Sequence, residues 1–198
     1  RNRAKLRHRP PQLLGRQRRH LAQQRLGLGA VEAVQEDRDF ALDLIRKSAK
    51  TASARLQFCR LAFGAAGSAG AQIDLGDAQN MARGHLEDDK TKITWNLPRI
   101  LLPKNRVKLL LNMMVIAQQT IPRGGMLTVD PVGEGDAIGF RVTAAGLNAR
   151  APQNIIELLS GGHTGAIESH AVQPYYTRLL AQACGFSVAL VPEGDNVV

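Results

Sequence analysis

Only two cysteines, two tyrosines and one tryptophan occur in the 198 residues, and aromatics make up 4% of the chain. Cys59 and Cys184 are far apart and show neither metal-ligand nor redox spacing, so both are expected to be reduced, buried and structural. No apolar run approaches the roughly 20 residues of a membrane span, and nothing at the start has the apolar centre of a signal peptide. The expectation is therefore a cytoplasmic protein with no membrane partner. Acidic residues and aromatics are both missing from the first 25 positions, which carry nine basic residues: Arg1, Arg3, Lys5, Arg7, Arg9, Arg16, Arg18, Arg19 and Arg25. From position 26 onward, 17 basic residues face 17 acidic ones, so the net charge of +9 belongs to the arm. An arm that binds nucleic acid would usually interleave its cations with aromatics or contact amides; with no aromatic in this one, no nucleic-acid partner is expected.

What is present is 44% hydrophobic residues, enough to bury a core. The clearest helix follows Pro103, which sits where a first-turn proline costs nothing, and ends at Pro122 with Gly124-Gly125. Val107, Leu110, Leu111, Met114 and Ala117 recur at helical spacing, and Leu109, Val115 and Ile116 widen the stripe, so this helix is read as a core element. Residues 1–36 read as a poorly ordered or aberrant segment, because Pro10-Pro11 and Gly15, Gly27 and Gly29 interrupt it; Arg16–Val34 is at most a weak helix. A long amphipathic helix is expected from about Asp37 to Gly64, with Ala41, Leu44, Ile45, Ser48, Ala52, Leu56, Cys59 and Phe63 on one face. The glycine-rich link 64–70 is expected to divide residues 37–69 from a domain over 70–198. In that domain the pattern predicts a short strand at 71–75, a helix at 76–88, a strand at 93–95, the central helix, strands at 126–129 and 137–143 around a turn, helices at 152–159 and 170–184, and a closing strand at Phe186–Val191. That order argues for an α+β chain whose second part is an α/β sandwich with helices on one face of a mixed sheet.

The central helix and the turn after it resemble the sensor histidine kinases. Those proteins pattern this helix Asn-x-x-x-Asn-Ala and follow it with Pro-x-Gly-Gly, a frame that Asn112 to Ala117 and Pro122 to Gly125 fit. Ile116 stands where the second asparagine would hold metal and phosphates. After Thr143 the chain reads Ala144-Ala145-Gly146, with no aspartate for adenine, and the glycines of a phosphate-wrapping lid are reduced to Gly161, Gly162 and Gly165. The reading is an ATPase-like fold that binds no nucleotide and holds no cofactor of its own.

An inactive ATPase-like domain of this kind resembles the ChpT-type bacterial histidine phosphotransferases. The matching strings are Ala54–Ala69, Leu101–Asn112, Ile121–Gly125 and His170–Thr177, within about Asp39–Val191. The resemblance implies a homodimer whose paired helical dimerisation hairpins form a four-helix bundle. It also implies a relay of phosphoryl groups from the receiver-domain aspartate of a hybrid histidine kinase to a histidine on the first helix, then to aspartates of response regulators, with Mg²⁺ supplied by the receiver. The family sets its histidine in a Cys-His-Asp motif followed by Ser-Pro and Asn-Asn-Gly-Leu, which this sequence does not contain. His8 and His20 are the N-terminal candidates for phosphorylation; His85 is read as a surface helix residue, His163 as a loop residue, and His170 as capping or packing near Tyr175 and Tyr176. Lys104, Arg106 and Lys108 are the candidate receiver-docking residues, weighed against a solvated charged edge. Gln23-Gln24-Arg25-Leu26 is what a codon string for Asn-Asn-Gly-Leu yields when read one base early. This motivates the hypothesis that the first 35 or so residues are translated out of frame, which reading the gene in all three frames would test. The alternative function is a catalytically inactive dimeric adaptor that docks receivers without accepting phosphate.

Overall fold

A single helix, α1 (Pro11–Ala62), opens the computed structural model, which describes residues 11–64, 70–133, 135, 138–162 and 167–198, with side chains from Val34 onward except at position 170. The expected hairpin is replaced here by one continuous element. No proline lies between Pro11 and Pro98, and an internal glycine weakens a helix by only about 1 kcal/mol without breaking it. Pro11 occupies the first helical position, where its missing N–H is no loss. The chain divides into units 1–50 and 51–198, so the second unit begins within α1, upstream of the glycine-rich link. In the first unit Phe40, Leu44 and Ile45 are exposed, Phe40 at 67% and Ile45 at 64%.

In the second unit the last turns of α1 bury Phe58, Leu61 and Ala62 in the main core. Cys59, one step round from Phe58, is exposed, so the expectation of two buried cysteines fails for this one; Cys184 is half-buried. Strand β1 (Gln72–Asp74) pairs antiparallel with β3 (Leu101–Pro103), a strand that the run leading into the central helix had hidden. Between them lie α2 (Leu75–Leu86), capped by the Asp74 carboxylate on the amides of Gly76 and Asp77, and β2 (Thr91–Trp95). The central helix is α3 (Lys104–Thr120), and it leads into β4 (Gly125–Val132) and β5 (Gly139–Ala145). Helices α4 (Gln153–Ser160) and α5 (Val172–Ala183) precede a terminal hairpin of β6 (Pro192–Glu193) and β7 (Asn196–Val197).

The main sheet has the order β2-β4-β5-β7-β6, with β2 parallel to β4 and the other pairs antiparallel. Inward positions alternate as a half-buried sheet requires: Leu127 and Val129 on β4 and Val142 and Ala144 on β5 join Val107, Leu110, Leu111 and Met114 of α3 in one core. Each large aliphatic side chain buried this way contributes roughly 1.5–3 kcal/mol. At the outer edge of β2 the backbone is fully engaged through Ile93. The Asp88 carboxylate accepts from Thr91 N–H at 2.7 Å and Glu87 Oε1 from Ile93 N–H at 3.0 Å; Asp88 N–H donates to Thr91 O and Arg83 to Ile93 O. Phe186–Val191, expected to be the closing strand, forms no ladder; the sheet closes instead through β6 and β7. No helix among the described residues is long and apolar enough to cross a membrane.

Candidate functional site

Helix α3 is buried on most of its circumference; from Leu109 to Ala117 every residue but Asn112 is apolar, and Asn112 is 0% exposed. A buried primary amide must find its partners inside the protein. Asn112 Nδ2 donates to Ala62 O at 3.0 Å and to Lys108 O at 2.8 Å, and Asn112 Oδ1 accepts from Gln173 Nε2 at 3.0 Å. One side chain thereby ties together the end of α1, the middle of α3 and the start of α5. Thr177, fully buried one turn along α5, donates its hydroxyl to Gln173 O and steadies the turn that presents Gln173. Nearby, the rings of Phe63 and Tyr176 lie 6.2 Å apart. Neither Gln173 nor Phe63 was singled out in the sequence as a functional residue; Gln173 lay inside the matched string His170–Thr177, and spacing alone gives no sign of its partner.

Four residues further along α3, Ile116 is 2% exposed and belongs to a cluster with Ile155, Leu159, Leu190 and Val197. This is the position where the kinase frame keeps an asparagine for metal and phosphates. These five aliphatic side chains offer no donor to a phosphate and no lone pair to a cation, unlike the asparagine of that frame. Ala144, in the segment that would carry the adenine-binding aspartate, is fully buried on β5. Among the described residues no three or more His, Cys, Asp or Glu side chains come together as a metal site.

The turn after α3 keeps the geometry of its motif. Gly124 has φ 84° and Gly125 φ 152°, both in the region that favours glycine. Gly125 N–H donates to Lys90 O at 2.9 Å, and a Cβ at Gly125 would run into Ala145 O and Gly146 Cα. The double glycine therefore lets the backbone pass between the start of β2 and the end of β5.

The basic residues at the start of α3 are not the solvated edge that their charge suggested. Arg106 is buried: its guanidinium donates to Ile138 O and stacks over the Phe186 ring at 5.0 Å. Lys108 is 7% exposed, and Lys104 is half-buried. The aliphatic stems of Arg106 and Lys108 make burial tolerable where the charged head reaches a carbonyl or the surface. Beside them burial pushes the Cys184 thiol up, against the opposing pull of the Arg106 charge. His85, expected at the surface of α2, is half-buried with its ring 4.3 Å from that of Phe58, and its buried Nδ1 has no hydrogen-bond partner. Burial, helped by the nearby Arg55 charge, holds its pKa below the ordinary histidine value. His8 and His163 lie outside the described residues, as do the side chains of His20 and His170; the backbone of His20 is on α1.

A mixed sheet under a helix with a buried asparagine, and an aliphatic cluster around Ile116, define an α+β domain of the histidine-kinase ATPase-like fold. A family model described as histidine phosphotransferase C-terminal domain matches residues 75–196, and the chain belongs to that family. It is similar to the protein phosphotransferase ChpT of Brucella abortus (strain 2308), with 48% identity over 173 residues covering 87% of this chain and 82% of that one. A solved structure of a bacterial phosphotransferase matches with TM-score 0.70 and 46% identity, covering 80% of this chain and 77% of that chain. The histidine kinase domain of the blue-light activated histidine kinase from Erythrobacter litoralis shares the fold, with TM-score 0.50 and 16% identity over 78% of this chain and 81% of that one.

Proposed function

We propose that this chain relays phosphoryl groups between the receiver aspartate of a hybrid histidine kinase and the aspartates of response regulators in a bacterial phosphorelay. The observation that carries the reading is Ile116, set in an aliphatic cluster at a position where the kinase frame keeps a phosphate-binding amide. A domain of this family that cannot draw phosphate from a nucleotide takes it from another protein. In the forward step a histidine ring nitrogen attacks the phosphorus of the receiver's acyl phosphate, the P–O bond to the aspartate breaks and the carboxylate leaves. The second transfer is the reverse reaction on a different receiver. Mg²⁺ comes with the receiver and neutralises charge on the phosphoryl oxygens. His8 and His20 are the candidate acceptors.

The protein acts as a homodimer in this reading, a second copy covering the exposed Phe40, Leu44 and Ile45 of α1. Its place is the cytoplasm, where receivers are phosphorylated. The test is to incubate the purified chain with a radiolabelled, phosphorylated receiver domain and follow acid-labile label on each protein. Label is expected on this chain and lost in His8→Ala or His20→Ala. No label on a chain that still dimerises would overturn the proposal.

A further inference from the structure

Helix α1 runs into the second unit at Thr51, and between Ala54 and Phe58 it lies against α2. At one end of this seam the helices are in close contact. A Cβ at Gly84 would stand 3.1 Å from Ala54 Cβ, so α1 approaches α2 through a glycine. One residue on, the His85 ring meets that of the fully buried Phe58 at 4.3 Å, tilted by 38°. Toward the start of α2 the seam is loose: a cavity of about 250 Å³ opens between Ala54 and Gln57 on α1 and Asp77, Asn80 and Met81 on α2. The close contact therefore rests on the Gly84-His85 step.

His85 suits that place as an uncharged ring. Its buried Nδ1 has no hydrogen-bond partner, so a proton there would be a desolvated charge with nothing to accept it. The charged groups around it give no compensation. Arg55 of α1 has the sign that a protonated imidazole would have, and it acts on the ring directly. On α2 the Arg83 head donates to Ile93 O and Glu87 Oε1 accepts from Ile93 N–H, while α3 presents the uncharged Gln118, which donates to Leu86 O. With α1 lifted away, the imidazole would meet water and leave the Arg55 charge behind. The open seam thus takes up a solvent proton that the closed seam resists.

We infer that His85 is a proton-operated latch between α1 and α2: neutral, it holds Phe58 and the segment 54–58 against α2; protonated, it raises the population in which that segment has left α2 while the α3 core stays folded. The latch lies in the seam between two helices and owes nothing to the relay reading.

The test is amide hydrogen exchange of the full chain at pH 7.5 and pH 5.5, corrected for the intrinsic pH dependence of amide chemistry. A helix end that loses its packing frays, so its amides report the opening. Protection over residues 54–61 is expected to fall at least about tenfold at the lower pH, with α3 changing by less than about twofold. His85→Phe keeps a ring on Phe58 and takes no proton, so its protection should be the same at both pH values. Three results would overturn the inference: an unchanged seam, which means the ring swings out alone; an equal loss in α3; or a loss that survives in His85→Phe. A second variant covers a His85→Phe chain that does not fold. Ala54→Cys with Gly84→Cys, made in a Cys59→Ser chain, brings two Cβ atoms within disulfide reach. The oxidised form is expected to lose the pH response and to regain it on reduction. An oxidised form whose seam still loses protection at pH 5.5 would reject the latch.

Discussion

Replacing Asn112 with alanine tests the node that joins α1, α3 and α5. The variant removes three hydrogen bonds, but their losses differ. Lys108 O lies inside α3 and keeps its place in the helical ladder, so that bond costs little. Ala62 O belongs to the last turn of α1, where carbonyls have no helical partner, and Asn112 Nδ2 is what reaches it. Stranding that buried carbonyl costs about 1–3 kcal/mol, and the loss at the half-buried Gln173 amide adds about 1 kcal/mol. With the small void left behind, the expected destabilisation is about 3–4 kcal/mol, measured by urea unfolding followed through the single tryptophan, Trp95, with an unchanged slope. Gln173→Ala alone should cost about 1 kcal/mol, and the double variant should fall short of the sum by about 1 kcal/mol because both changes break the same bond. Asn112→Asp should be worse than alanine, since a carboxylate oxygen would be pressed against Ala62 O and Lys108 O. A loss below about 1 kcal/mol for Asn112→Ala, or additivity within about 0.3 kcal/mol, would refute the node.

Three further outcomes are expected. The folded-state pKa of His85 lies below its unfolded value of 6.5, so the unfolded chain binds the extra proton first. Stability should therefore be full above about pH 6.5 and fall as the pH drops from there through the folded value; His85→Phe, which keeps a ring against Phe58, should lose that part of the acid limb in unfolding curves taken between pH 7.5 and 4.5. Phe58→Ala, at a fully buried position that anchors the end of α1, should cost about 3–5 kcal/mol in the same urea assay. Gly124→Ala places a Cβ 2.6 Å from Lys90 Cβ at φ 84°, so it should cost at least about 2 kcal/mol, with Gly70→Ala, where nothing lies within 4 Å, well below that.

Elements marked by local chemistry were the legible ones. Pro103 and Gly124-Gly125 bracket α3, its apolar stripe identified it as the core helix, and alternation located β4 and β5. Ile116 marked the departure from the kinase frame, and the structure places it in an aliphatic cluster with Ile155, Leu159, Leu190 and Val197. What could not be read depended on distant partners. The side on which Cys59 falls is decided by what Phe58 packs against, and the pairing of β3 by β1 some 30 residues earlier in the chain. Arg106 and Lys108 looked solvated because charge outweighs a long apolar stem in any sequence scale. Phe186–Val191 has strand composition, yet a strand needs a neighbour, and of these residues Val191 alone exchanges backbone bonds with one, Val198.

The engaged edge of β2 gives the main sheet a polarity. Asp88, Glu87 and Arg83 occupy the outward groups of Thr91 and Ile93, so an incoming strand finds nothing to pair with there. A fibre built by edge-to-edge stacking needs two receptive sides on every copy, one to accept and one to offer. From Thr91 to Ile93 the β2 side of the sheet is closed to an incoming strand. Edge-to-edge stacking through the first three residues of β2 is therefore blocked by side chains of the same copy.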